Sequence, residues 1–380
     1  MPFLPTLRIA RPALAAFAAM GMLWGSFAAT LPDIKAMLNV DEAQLGLLMF
    51  LTPIAAMLGM LLAPTVGATL GRIALPVASL IMCAAFALPG QTQNLWLFPL
   101  AMMCAGAGTG MTDVLMNARV AAMEASRGLH LMNLAHAAYS FGYAGGSIAT
   151  GVMRQAGWSP AWVLGTMVAV AGLMALLTIE RDGRIEGLAR PKTSAGRGLG
   201  WVPVIGGGMV FIAFLTENAA ENWSALHIEQ TLGGSPAHGA MGPATLALTM
   251  GLARLVGQGI AGRVRPVVLL TAGALVSAVG AFAVAAAVTP WMAYAGFIVM
   301  GIGSSVIAPT AFSLVGSQAA PEARARAVAR ATLFGYFGYF IGPPGFGFIA
   351  GSLGLRYAFV FAAVILLMVP ILARIMARRA

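Results

Sequence analysis

GAGTGMTDVLMNARVAAMEASRGLHLMNLAHAAYSFGYAGGSIATG, residues 106–151, is the stretch that decides the fold. It reads as two apolar segments joined by a short polar turn around 124–130. Inside those segments stand Asp113, Asn117, Arg119 and His136. Ionisable groups are costly inside a bilayer, so their presence there points to function, with the likeliest partners close by. Outward from this stretch, the chain of 380 residues is 59% hydrophobic and 9% charged, with a mean hydropathy of +0.86. A soluble domain carries roughly 25% charged residues. The composition therefore predicts an all-α, polytopic membrane protein, with the lipid bilayer as its surroundings.

The net charge of +10 and the pI of about 10.6 suggest nucleic acid at first sight. Position argues otherwise, because the basic residues cluster in alternate loops, as the positive-inside rule requires. No basic stripe with interleaved aromatics is present, so nucleic acid is excluded as a partner. Cys83 and Cys104 both fall in apolar segments and read as small packing residues. The histidines lack ligand spacing, and no phosphate loop, metal cluster or nucleophile elbow occurs. Neither an enzyme nor an ATP-driven pump is expected, and nothing calls for a cofactor. The first apolar run is too long for a signal-peptide core and is read as a retained helix.

A spanning helix needs about 20 mostly apolar residues. That measure gives twelve segments, at 10–32, 44–70, 73–90, 95–121, 131–154, 159–179, 202–227, 240–262, 266–288, 291–315, 326–350 and 354–375. The polar linker at 181–200 divides them into two six-helix halves, 1–180 and 201–380. One side of the membrane holds Arg8, Arg11, Arg72, Arg127, the linker, Arg263, Arg265, Arg324, Arg326, Arg374, Arg378 and Arg379. The other holds Lys35, Arg154 and Arg356 with the acidic Asp33, Asp41, Glu42 and Glu229. Both termini are thus expected in the cytoplasm. The halves also resemble each other: 34–38 matches 228–232, and Gly71-Arg72 matches Gly262-Arg263. An internal repeat of six helices suits two parallel halves around a central cavity.

Twelve helices, a cytoplasmic linker and repeated halves together resemble the major facilitator superfamily. Its loop signature survives at 67–72 in degenerate form, with Ala68 near the place of the usual acidic residue. A sharper resemblance is to the bacterial YbjJ-like and MosC-like transporters, related to the fucose–galactose–glucose proton symporters. It is carried by Asp113-Val-Leu-Met-Asn117, Leu131-Met132, His136-Ala-Ala-Tyr-Ser140-Phe-Gly142, Glu217-Asn-Ala-Ala-Glu-Asn-Trp223-Ser224, Gly335-Tyr336 and Gly342-Pro343-Pro344. The resemblance implies a monomeric transporter of the bacterial inner membrane that moves a small, sugar-like solute with protons. Asn222 replaces the group's usual Asp, Asn218 its usual Gly and Thr30 a common Arg, which points to an altered solute.

Each candidate site residue has a plainer alternative. Asp113 and Asn117 lie four apart on one helix face. Counting back from the turn, Asn117 is level with His136 and Asp113 with Ser140. A polar patch across the hairpin is expected, with Asp113 and His136 in proton coupling and Asn117, Tyr139 and Tyr143 near the solute. The alternative is a structural hydrogen-bond network. Glu217 and Glu221 share a face with Ser224 and suit proton coupling, because close carboxylates favour protonation of one of them. Alternatively, Glu221 is solvated at the cavity mouth. Arg254 either snorkels to the cytoplasmic side or pairs with a carboxylate such as Asp113. Arg119 and Glu124 are expected to be solvated. Trp24, Trp223, Tyr336 and Tyr339, with Asn218 and Asn222, are candidate solute contacts; for the aromatics the alternative is packing or an interfacial belt. A rival function is export of amphipathic drugs, favoured by the 24 methionines with their adaptable surfaces. It is disfavoured because the fifth segment lacks the proline typical of exporters. A receptor or scaffold would need soluble domains or long tails that the chain does not have.

Overall fold

The computed structural model describes residues 3–128, 131–183, 185, 200–261, 264–320 and 323–378. Expectations resting on His130, Arg184, Arg190, Lys192, Arg197, Gly262, Arg263 and Arg379 lie outside them. All regular structure among the described residues is helical. In the first half run α1 (Phe3–Leu38), α2 (Glu42–Leu48), α3 (Leu51–Leu70), α4 (Ala74–Phe86), α5 (Leu97–Arg127), α6 (Met132–Gln155) and α7 (Pro160–Leu176). In the second run α8 (Val202–Leu226), α9 (Pro236–Ala261), α10 (Pro266–Ala286), α11 (Pro290–Gln318), α12 (Arg324–Leu353), α13 (Leu355–Leu366) and α14 (Met368–Arg378). Helices are the expected outcome for a single segment in lipid, where each backbone N–H and C=O must find its partner internally. Proline opens α7, α9, α10 and α11, where its missing N–H costs nothing.

Seven helical stretches among the described residues are long and apolar enough to cross a membrane. Their outer faces carry large exposed apolar side chains, such as Trp291 at 73% and Val279 at 64%, which need lipid for cover. α5, α6, α7 and α12 are not among the seven. Two of these, α5 and α6, hold the polar stretch with which the sequence reading began. The segment expected at 44–70 is broken into α2 and α3, and the one at 354–375 into α13 and α14.

Contacts divide the chain into two compact units, Met1–Asn39 with Leu48–Lys192, and Val40–Leu47 with Thr193–Ala380. The units share a packing plan. In the first, α6 lies along α1 and α5 along α3; in the second, α12 lies along α8 and α11 along α9 and α10. The expected hairpin patch is corrected here. α5 and α6 follow each other in the chain but touch only marginally, because each has its broad interface elsewhere.

Glycine explains that choice. A Cβ on Gly21 or Gly25 of α1 would fall 2.0 Å from the carbonyl oxygen of Tyr139 or Tyr143 in α6. On Gly142 and Gly146 of α6, a Cβ would fall 2.2 and 2.3 Å from the carbonyls of Ala18 and Met22. Two glycines four residues apart on each helix thus let the backbones touch. Ser147 Oγ donates to Gly25 O at 2.9 Å, and Ser26 and Thr150 share a hydrogen bond of 2.7 Å. The same device joins α3 to α5 at Gly59, Gly106 and Gly110. Gly25→Val is expected to lower stability by about 1–3 kcal/mol through overpacking, read as a fall in melting temperature in detergent. An unchanged melting temperature would show that α1 and α6 are not held this closely.

Candidate transport site

In the first unit, Asn117 Nδ2 donates to Asp113 Oδ1 at 3.1 Å and to Asp113 O at 2.9 Å, one turn earlier on α5. Another turn back, Thr109 Oγ1 accepts from the Trp24 indole N–H at 3.2 Å. Trp24 of α1 is wedged edge-on against Phe27 and Phe86. The polar face Thr109–Asp113–Asn117 is therefore a stripe at i, i+4, i+8. Thr109 was overlooked in the sequence, although its spacing carried the signal. His136 of α6 sits edge-on to Phe17 at 5.1 Å, so the structure brings it to α1. Tyr139 is half-buried with its ring 6.1 Å from Tyr143. Tyr143 is fully buried where α6 abuts Gly21 and Gly25, so packing replaces the solute contact expected of it.

In the second unit, Arg254 of α9 pairs with Glu217 of α8 at 3.4 Å. This corrects the expected partner of Arg254: it is Glu217, not Asp113. Glu221 follows one turn later on the same helix. Asn218 and Trp223 present a buried amide oxygen and a buried indole N–H, neither with a hydrogen-bond partner. Asn222 is buried at 7% exposure. Trp223 is wholly enclosed, its ring close to Gly347 of α12, and packing again replaces the expected cavity lining. Tyr336 and Tyr339 of α12 stand 5.8 Å apart around Phe214 of α8, which stacks on Tyr339 at 4.7 Å and 27°. Phe312 of α11 closes this group 6.4 Å from Phe214. Phe214 and Phe312 were not singled out in the sequence. Phe214 lies three residues before Glu217, a spacing that places both on neighbouring faces.

Two further charges and one cysteine depart from expectation. Arg119 is not solvated: its guanidinium makes two hydrogen bonds to Glu180, at 2.7 and 2.8 Å, and a third to Asp182 O. Glu124 accepts from the backbone N–H groups of Leu131 and Met132, at the start of α6. A carboxylate there satisfies orphan donors and meets the positive end of the helix dipole. Gly128 makes this turn possible, ending α5 at φ +64°, a conformation that costs glycine least. Cys104 is exposed and so is not the packing residue expected, whereas Cys83 is buried. Among the described residues, no three of His, Cys, Asp and Glu come together as a metal site.

An all-helical chain with a repeated packing plan, an apolar outer surface and ion pairs within its helices has the makings of a membrane transporter. The family model described as Major Facilitator Superfamily matches residues 13–220 and 206–380. The chain belongs to the Major Facilitator Superfamily, and it is a multi-pass secondary transporter of that fold. It is 30% identical to an uncharacterised MFS-type transporter of Yersinia pestis, over 96% of this chain and 94% of that one. It is 26% identical to the membrane protein MosC of Rhizobium meliloti, over 90% of this chain and 83% of that one. Among solved structures, the nucleoside transporter NupG aligns with a TM-score of 0.78 at 14% identity, over 98% of this chain and 99% of that one. A bacterial homologue of the human lysosomal transporter Spinster aligns with a TM-score of 0.75 at 15% identity, over 100% and 97%.

Proposed function

We propose that the protein is a proton-coupled transporter of a small, polar, sugar-like solute, working as a monomer by alternating access in the bacterial inner membrane. The observation that carries this reading is the Glu217–Arg254 pair with Glu221 one turn away, inside a spanning helix of the second unit. Charges in such a place are costly and tend to mark ion and solute paths. Phe214 of α8, with Tyr336 and Tyr339 of α12 against it, offers aromatic surface for the C–H faces of a sugar. Asp113 with Asn117 supplies a second intramembrane carboxylate, in the first unit. The likeness of the motifs in α5, α6 and α8 to those of the sugar–proton symporter relatives supports the same reading.

A thermal-shift screen of the purified protein against sugars, polyols, amino sugars and cationic drugs tests it. A ligand that binds only the folded state, at a hundred times its Kd, stabilises by about 2.7 kcal/mol. A sugar or polyol is expected to raise the melting temperature, and its uptake into proteoliposomes to follow an imposed pH gradient. A response to cationic drugs alone would favour the exporter reading, and uptake indifferent to pH would remove the proton.

The loop charges support cytoplasmic termini. A fluorescent protein fused at the C-terminus is expected to fluoresce, and alkaline phosphatase at the same place to stay inactive. An active phosphatase fusion would reverse the orientation.

A further inference from the structure

The polar face of α8 has a direction. Glu217, Glu221 and Ser224 are spaced four and three residues apart, so they form one stripe. At one end of the stripe, Arg254 of α9 reaches Glu217 at 3.4 Å. At the other, α9 comes close again: a Cβ on Gly242 would lie 2.9 Å from Ser224 Cβ and 3.1 Å from its Oγ. Glu221 thus occupies the α8–α9 seam between an ion pair and a serine. That serine is fully buried, and its hydroxyl has no hydrogen-bond partner.

The charges at this seam do not balance. The charged groups on α8 and in the body of α9 are Glu217, Glu221 and Arg254. Elsewhere on α9, His238 lies at the helix start beside Ser235. α11 carries no charged residue, and the arginines described on α12 are Arg324, Arg326 and Arg330, in its first turns. Arg356 of α13 is engaged with the carbonyls of Ala285 and Ala287. Arg374 and Arg378 lie on α14, and Glu229 lies in the π-helical turn His227–Thr231 that follows α8. One guanidinium therefore serves two carboxylates. In a medium of low dielectric, the second carboxylate is stable only with a cation of its own, and the smallest is a proton.

We propose that Glu221 is the group of this unit that binds and releases the transported proton. Arg254 is a positioning residue that keeps Glu217 ionised, and the Ser224 hydroxyl receives the hydrogen bond of protonated Glu221. This assignment rests on the proton-coupled reading and divides the labour between two carboxylates that the sequence leaves equivalent. When the seam opens to water, solvation of the carboxylate lets Glu221 release its proton to water while Arg254 keeps Glu217 ionised.

Infrared difference spectroscopy of the full-length protein tests this without a solute, by following the C=O band of protonated carboxyl groups as pH rises. Asp113→Asn serves as the background, so that Asp113 does not contribute to the band. The band is expected to disappear in Glu221→Gln. In Glu217→Gln it is expected to persist with its midpoint at lower pH, because Arg254 is then free for Glu221. Arg254→Gln is expected to bring a second carboxyl into the titration, and Ser224→Ala to move the band's frequency. Glu221→Asp, which keeps the carboxyl, is expected to keep a band at a new frequency and guards against misfolding of the Gln variant. A band that survives Glu221→Gln and vanishes in Glu217→Gln overturns the assignment. So does a band absent from the Asp113→Asn background, or one abolished by sodium at fixed pH. Each of these leaves pH-driven uptake to be judged separately, so failure of the assignment and failure of the proton-coupled reading are distinguishable.

Discussion

Asp113→Asn is expected to give a folded protein that exchanges its solute across the membrane but no longer accumulates it in response to a pH gradient. Asparagine keeps the shape of the side chain and can still meet Asn117, whose amide bonds to both Asp113 Oδ1 and Asp113 O. What it removes is the ability to carry a charge in one environment and a proton in another, which is how a burial change becomes proton binding. A gradient of one pH unit is worth about 1.4 kcal/mol per proton, or about tenfold accumulation. In the variant that factor is expected to fall to one while counterflow persists. If Asp113 and Asn117 serve only to hold α5 together, yield and melting temperature will fall instead, and the protein that folds will accumulate solute normally. Measuring melting, counterflow and gradient-driven uptake on one preparation decides the matter, with the solute taken from the thermal-shift screen. His136→Ala is a lesser test. Its ring packs on Phe17, so a loss of stability without a change in the pH profile would assign it to the α1–α6 interface.

The second large effect is structural. Arg154 is 1% exposed at its side chain, and its guanidinium grips Asp33 through two hydrogen bonds of 2.7 and 2.6 Å while a third reaches Ala29 O at 2.7 Å. This clasp ties the C-terminal part of α1 to the last turn of α6. Asp33→Ala leaves a buried cation without its carboxylate, a change that costs about 3–5 kcal/mol. Arg154→Met alone leaves Asp33 partly exposed, with a side-chain exposure of 33%, and is expected to cost less. The double variant Asp33→Ala/Arg154→Met removes both charges and is expected to recover most of the loss, since an apolar pair of similar volume is often as stable. Chemical or thermal unfolding of the three variants forms a double-mutant cycle. A cost below about 1 kcal/mol for Asp33→Ala would place the pair among exposed salt bridges.

These two cases divide according to what a sequence contains. Composition, segment length and the period of apolar residues are local properties, and they were enough for an all-helical membrane protein with repeated halves. The run of apolar segments, the polar linker and the repeated halves were enough for its family. Helical periodicity also showed that Asp113 shares a face with Asn117, and Glu217 with Glu221, because that needs only 100° per residue. Which helix each face meets is not a local property. Arg254 chose Glu217, Arg119 chose Glu180 across 61 residues, and Arg154 chose Asp33 across 121. The hairpin α5–α6, adjacent in sequence, was expected to pack as a pair. Instead, Gly21, Gly25, Gly142 and Gly146 brought α6 onto α1, because contact at the backbone gains more packing than chain adjacency offers. Face and segment were legible in the chain, and only the tertiary structure decided the partners, since those depend on how glycine-lined surfaces fit across the whole unit.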